Sequence, residues 1–270
     1  MRRPLVGLLC LIVGVALATG CAGKKKKQAE MKAISSLSAP GQLAKAKEEI
    51  AKRELRRAKT ILQRIQYTKP EERTKVEPLV RLAMADANFY GRQGFSLIDS
   101  RSLYLDFVTL YGDHLQAPYA QFQAGMCSFK EVISPTRDQT KTHQAIGELR
   151  EVERRYPGSR FSGAANLMVH RAEDYLAEHE FIVGRFYLKK KLYSAAIERF
   201  RASLEKYPGY ADREKLYYHL GQALLGANNN AEARIYLDKL VTDYPGGKYF
   251  EDARKALSQA GGELTLDVGM

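Results

Sequence analysis

From residue 42 to about residue 260 the apolar positions recur at three- and four-residue intervals, the period of an amphipathic helix. No stretch alternates apolar and polar as a half-buried strand does. The breakers are confined to a few punctuating positions. Three of these read Tyr156-Pro157-Gly158, Tyr207-Pro208-Gly209 and Tyr244-Pro245-Gly246, with Tyr111-Gly112 and Tyr67-Thr68-Lys69-Pro70 as degenerate copies. Twelve residues before each breaker stands a small residue: Ala58, Ser100, Ala145, Ala196 and Ala233 precede Pro70, Gly112, Pro157, Pro208 and Pro245. A small residue lets two helices approach closely, and the breaker one helix-length later stops the second of them. In the last two units Gly184 and Gly221 stand a further twelve residues upstream, where a first helix needs the same close approach. The pattern predicts five helix-turn-helix units.

Tyr217, Leu220, Gly221, Ala233, Leu237 and Pro245 match the tetratricopeptide (TPR) pattern, as do Gly184, Tyr187, Ala196, Phe200 and Pro208. The expected fold is therefore all-α, a right-handed superhelical TPR-like array of about five repeats. Spacing is uneven: successive small residues lie 42, 45, 51 and 37 apart, against about 34 in an ideal repeat. Eight extra residues fall between Gly125 and Ala145 and belong to a loop from Ile133 to Thr140. From about 162 to 189 the apolar period runs unbroken and predicts one long helix. A last helix, about 247 to 260, would cap the array before a frayed tail at 263–270. The repeats divide into an N-terminal set, 42–131, and a C-terminal set with the cap, 132–262.

The N-terminus carries different information. Met1-Arg2-Arg3, a short apolar run and small residues up to Gly20 have the order of a secretory signal, 1–20. The run is too short for a comfortable membrane span, which needs about 20 apolar residues. Leu17-Ala18-Thr19-Gly20-Cys21 resembles the bacterial lipobox, with the leucine four residues before the cysteine rather than three. That resemblance implies lipidation of Cys21, and Ala22 after it resembles an outer-membrane address. Residues 21–41, rich in Lys, Ala and Ser and ending in Ala39-Pro40-Gly41, read as a flexible basic linker. Once Cys10 and Cys21 are assigned, Cys127 is the one remaining thiol, so no internal disulfide is expected. The formal charge of +12 would fall to +10 with the loss of Arg2 and Arg3. An exported chain rarely meets nucleic acid, so the excess points elsewhere. The densest cluster, Lys24 to Lys27, directly follows the lipid site and is either a solvated tether or an attraction to an anionic leaflet.

No catalytic constellation is visible. His114, His143, His170, His179 and His219 lack zinc spacing, and Gly91 and Gly94 lack the strand and Lys-Ser/Thr of a phosphate loop. Cys127, in an apolar helix, reads as a small core residue. No cofactor and no metal are expected, and an array of helix pairs without chemistry implies recognition. Sixteen tyrosines and no tryptophan suit extended peptides, although Tyr67, Tyr111, Tyr156, Tyr207 and Tyr244 could equally staple adjacent repeats.

Residues 137–161 (RDQTKTHQAIGELREVERRYPGSRF) and 176–209 (LAEHEFIVGRFYLKKKLYSAAIERFRASLEKYPG) resemble the BamD family, lipoprotein subunits of the machine that inserts β-barrels into the outer membrane. The resemblance covers roughly 42–260 and is strongest from 137 onward; the acidic, Pro-rich linker of that family is replaced here by lysines. It implies a lipid-anchored, non-enzymatic scaffold on the periplasmic face of the outer membrane. Its partners would be unfolded β-barrel precursors and an Omp85/BamA-type barrel protein bound through its POTRA domains. By the same resemblance the N-terminal repeats would receive the precursor signal, with Tyr67 and Tyr90 as candidates. Arg199, within Tyr193–Phe200, would face a POTRA domain, or else pair with Glu198 or Glu205. The alternative class is a TPR pilotin escorting secretin or pilus subunits.

Overall fold

The computed structural model describes residues 25–91, 96–259 and 261. The signal segment, Cys21 and the tail at 263–270 lie outside the described residues. Twelve α-helices and one short 3-10 turn make up the described chain, with no strand among the described residues. They are α1 (25–35), α2 (Ala39–Ala51), α3 (Leu55–Arg64), α4 (Pro70–Phe89), α5 (Leu97–Leu110) and α6 (Ala117–Lys130), followed by α7 (Thr140–Arg155), α8 (Ser162–Lys189), α9 (Tyr193–Lys206), α10 (Arg213–Gly226), α11 (Asn230–Asp243) and α12 (Phe250–Gln259). The 3-10 turn, Ile65–Tyr67, prolongs α3. The expected pairs are α2/α3, α4/α5, α6/α7, α8/α9 and α10/α11, with α12 as the cap. The long helix runs 28 residues, Ser162 to Lys189, over the span expected from the period.

The repeat positions explain the packing. Ala58, Ser100, Ala145, Ala196 and Ala233 all have no exposed surface. One turn on, Leu62, Tyr104, Leu149, Phe200 and Leu237 are buried as well. A β-carbon added at Gly221 would lie 2.6 Å from Leu237, one at Gly184 2.7 Å from Phe200, and one at Gly125 2.6 Å from Leu149. In these three repeats the first helix thus presents bare backbone to the large side chain of its partner helix. Sixteen residues separate Gly184 from Phe200 and Gly221 from Leu237, whereas Gly125 and Leu149 are twenty-four apart. The difference of eight is the loop between α6 and α7, tied down by a Lys141–Glu131 ion pair (2.8 Å) and by His179 Nδ1 against the Pro135 carbonyl (2.7 Å).

Two kinds of turn alternate. Within a repeat, Arg53, Lys191 and Asn228 take φ of 64°, 60° and 60°, a left-handed cap without glycine. The following N–H groups, of Glu54, Leu192 and Asn229, reach back to the carbonyls of Glu49, Tyr187 and Leu224. Between repeats the tyrosines end the helices: Tyr111, Tyr156, Tyr207 and Tyr244 C-cap α5, α7, α9 and α11 with φ between −128° and −134°. All four are half-buried.

Three features depart from the sequence expectations. Residues 25–35, read as linker, form α1, because Met31 and Ile34 fall on one face and pack against the core built around Leu43, Ile61, Leu62 and Ile65. Pro78 lies inside α4 rather than at a boundary, where it removes one backbone donor. The chain divides into two compact units after Ala120, not at 131. The later part of α6 sides with α7: Gly125 meets Leu149, Gln121 donates to the Glu148 carbonyl (2.9 Å) and Ser128 to the Glu148 carboxylate (2.8 Å).

Candidate functional site

In the first unit, the end of α1, the start of α2, the 3-10 turn and the start of α4 enclose a cleft of about 730 Å³. Its lining includes Ser35, Ser38, Gln42, Arg64, Tyr67 and Glu72. Tyr67 is 82% exposed, unlike the four half-buried cap tyrosines, because α3 unwinds into a 3-10 turn that carries its ring away from the core. Glu72 accepts the Ala39 N–H (2.9 Å), and Arg64 donates to Ser35 Oγ (2.6 Å). Gln42 is 2% exposed. Its amide nitrogen donates to the carbonyls of Leu37 (3.0 Å) and Ser35 (3.4 Å), which fixes the amide orientation. Its Oε1 is then a buried acceptor with no donor among the described residues. A buried acceptor left without a donor costs about 1–3 kcal/mol.

Tyr90 is not part of this cleft. It C-caps α4, with its ring edge-on to Phe89 (5.1 Å) and under the Arg53 guanidinium (4.4 Å). Tyr67 lies before the N-terminus of the same helix, whose 20 residues span about 30 Å at ~1.5 Å each. The two candidate tyrosines therefore belong to opposite ends of α4.

In the second unit Arg199 sits on α9, 45% exposed, with Nη1 3.1 Å from Glu180 Oε2 on α8. The partner is neither Glu198 nor Glu205, the local candidates. Glu180 is more deeply placed, so the pair fixes one edge of the guanidinium and leaves the arginine within reach of a ligand. Phe186 and Leu192, both more than half exposed, lie on α8 and just before α9 in the same repeat.

A polar cluster that the sequence did not single out joins α8 to α10. Tyr210 donates to Glu178, and Lys215 bonds Glu178 (2.6 Å) and Asp212 (2.9 Å). Burial alone would depress the Lys215 ammonium, but its hydrogen bonds to Glu178, Tyr210 and Asp212 carry it above the usual lysine range. Next to it His219 packs edge-on against Phe181 (5.1 Å) and Tyr249 (5.6 Å), with Nδ1 on the Lys215 carbonyl (2.8 Å). Burial, and then the positive charges of Arg185, Lys215 and Lys248, hold its pKa below the ordinary imidazole value.

No group of three His, Cys, Asp or Glu side chains converges as metal ligands among the described residues. Cys127 is buried in α6. No described helix is long and apolar enough to cross a membrane.

Against known proteins, the family described as "YfiO: Outer membrane lipoprotein" matches residues 38–237. The outer membrane protein assembly factor BamD of Caulobacter vibrioides is 28% identical over 262 residues, 96% of this chain and 82% of that protein. BamD of Rickettsia prowazekii is 24% identical over 243 residues, 90% of this chain and 92% of that one. BamD of Xylella fastidiosa is 27% identical over 184 residues, 60% of this chain and 62% of its own.

Proposed function

The chain belongs to the YfiO family of outer membrane lipoproteins, and from that premise we propose that it is an outer membrane protein assembly factor acting as a lipid-anchored TPR scaffold. Acyl chains on Cys21 would hold it to the outer membrane, facing the periplasm. The first unit would receive an extended segment of an unfolded β-barrel precursor. The second would dock a POTRA domain of an Omp85-type barrel protein through Arg199. The role needs binding surfaces, not bond-making groups, so no cofactor enters it.

The observation that carries this reading is the Tyr67 cleft. An extended peptide offers backbone N–H groups at regular intervals and a side chain to every second wall position. The exposed Tyr67 ring offers such a segment a flat apolar face with one hydroxyl. Because α4 separates it from Tyr67, Tyr90 serves as a contrast position rather than a second wall.

A photocrosslinker at position 67 should capture a synthetic peptide carrying the C-terminal signal of a barrel protein, and one at position 90 should capture much less. Equal capture at both positions, or capture confined to the second unit, would remove the cleft from the assignment.

A further inference from the structure

The last residue of the first helix, Ser35, lines the Tyr67 cleft, but the lysines of that helix have no role in that scheme. Lys25, Lys26, Lys27 and Lys32 are all exposed, and none forms an ion pair with a described carboxylate. The one carboxylate of α1, Glu30, is engaged by Arg57 (3.1 Å). The face between Lys27 and Lys32 opens instead onto a shallow cleft of about 430 Å³, lined by Lys27, Gln28, Met31, Lys32, Ser35 and Arg64. Arg64 is held across its end by the bond to Ser35 Oγ (2.6 Å). Three cations, an amide and a hydroxyl thus surround one opening with a thioether floor. This is the donor set of a phosphate site beside an apolar surface.

The cluster is fixed to the fold rather than floating on a tether. Met31 and Ile34 dock α1 on the first unit's core, so its lysines keep one orientation relative to Arg64. Four peptide steps separate Cys21 from Lys25, a reach of at most about 14 Å. With Cys21 acylated, as in the function proposed above on which this step rests, so short a tether lets the cleft reach the leaflet, where surface charge acts over about 8 Å.

We propose that the cleft of Lys27, Lys32 and Arg64, with the adjoining Lys25 and Lys26, binds the phosphate-bearing headgroup of anionic lipids. The lipid anchor sets where the protein resides, and the basic cleft sets how the first unit stands on the membrane.

The test uses the chain from residue 21 onward with Cys21→Ala, so that no acyl chain contributes. It should co-sediment with vesicles of phosphatidylcholine and phosphatidylglycerol, and not with phosphatidylcholine alone. Each basic residue near an anionic surface strengthens partitioning roughly fivefold. Lys27→Gln/Lys32→Gln/Arg64→Gln should therefore weaken binding on the order of a hundredfold. Lys189→Gln/Lys190→Gln/Lys191→Gln removes the same net charge elsewhere and should leave binding nearly unchanged. Inorganic phosphate at the same ionic strength should not displace the protein if the headgroup is presented by a surface. No binding to anionic vesicles, equal losses in the two triple variants, or full displacement by free phosphate would each overturn the proposal. Because the acyl chains are absent from this assay, its failure would leave the anchoring by Cys21 and the precursor cleft standing.

Discussion

Replacing Gly221 by alanine tests whether bare backbone at the first-helix position sets the repeat spacing. The new β-carbon would lie 2.6 Å from Leu237 Cδ2 and 2.7 Å from its Cγ, about 1 Å inside ordinary carbon contact. Leu237 has no exposed surface and is packed among Tyr217, Leu240, Ala253 and Leu257, so it has nowhere to retreat. Overpacking of this kind costs about 1–3 kcal/mol, whereas Gly→Ala within a helix gains about 1 kcal/mol in propensity. The net expectation is a loss of up to about 2 kcal/mol, a fall in Tm of up to ~8 °C for a chain of this size. Gly147→Ala is the matched control. It lies in the middle of α7 with nothing within 4 Å of its β-carbon, so only the propensity gain applies and Tm should rise by about 2–4 °C. A double-mutant cycle makes the sign decisive. Leu237→Ala costs about 2–5 kcal/mol by itself but clears the space, and in that background Gly221→Ala should stabilise. If Gly221→Ala raises the melt of the otherwise natural chain as much as Gly147→Ala does, or if the coupling with Leu237 is below about 0.5 kcal/mol, the close-approach argument fails.

Arg199→Glu should weaken binding of a purified POTRA region by about 2–5 kcal/mol, yet lower the protein's own stability by about 1 kcal/mol or less, since the Glu180 pair is half-exposed. The double variant Arg199→Glu/Glu180→Arg should recover the melt but not the affinity, and full recovery of both would reduce Arg199 to an internal strut. Lys191→Gly should stabilise the protein by about 1 kcal/mol and so raise its urea midpoint, because glycine takes φ of 60° without the β-carbon clash, and Lys191→Val should lower that midpoint; no difference between the two would contradict a strained cap. His219 binds its proton less readily when folded than when unfolded, so the unfolded chain is protonated first as pH falls. Stability should therefore decline below about pH 6.5, and His219→Gln should flatten the Tm profile between about pH 7 and 5. A slope unchanged by the substitution would place that titration elsewhere.

The repeat architecture was legible because it depends on positions that only small residues can occupy. Ala58, Ser100, Ala145, Ala196 and Ala233 are fully buried, and the eight-residue excess in the third unit is the excess between Gly125 and Leu149. The turns within repeats were not legible. Arg53, Lys191 and Asn228 adopt a conformation that glycine favours, and nothing in a lone lysine or arginine announces it. Helix α1 was hidden for a related reason. Its apolar content in the docked face is two residues, Met31 and Ile34, set in a Lys- and Ala-rich run whose composition reads as solvated tether. A helix this short gains its stability from docking, which composition cannot reveal.

The site divides along the same line. Arg199 pairs with Glu180, nineteen residues away, because α8 and α9 lie side by side; a search among local neighbours reaches only Glu198 and Glu205. Tyr67 and Tyr90 looked equivalent as tyrosines of the first repeats, but the intervening helix holds them at opposite ends. What separates Tyr67 from Tyr111, Tyr156, Tyr207 and Tyr244 was nonetheless present in the chain. The other four are followed directly by Gly or Pro-Gly, the residues that let a helix stop at the tyrosine and leave its ring half-buried. Tyr67 is followed by Thr68 and Lys69 before Pro70, so α3 stops earlier, at Arg64, and a 3-10 turn carries the ring outward. The one copy of the tyrosine breaker that cannot staple is the one at the mouth of a cleft with an unsatisfied buried acceptor, and a degenerate repeat position is where a binding surface has room to exist.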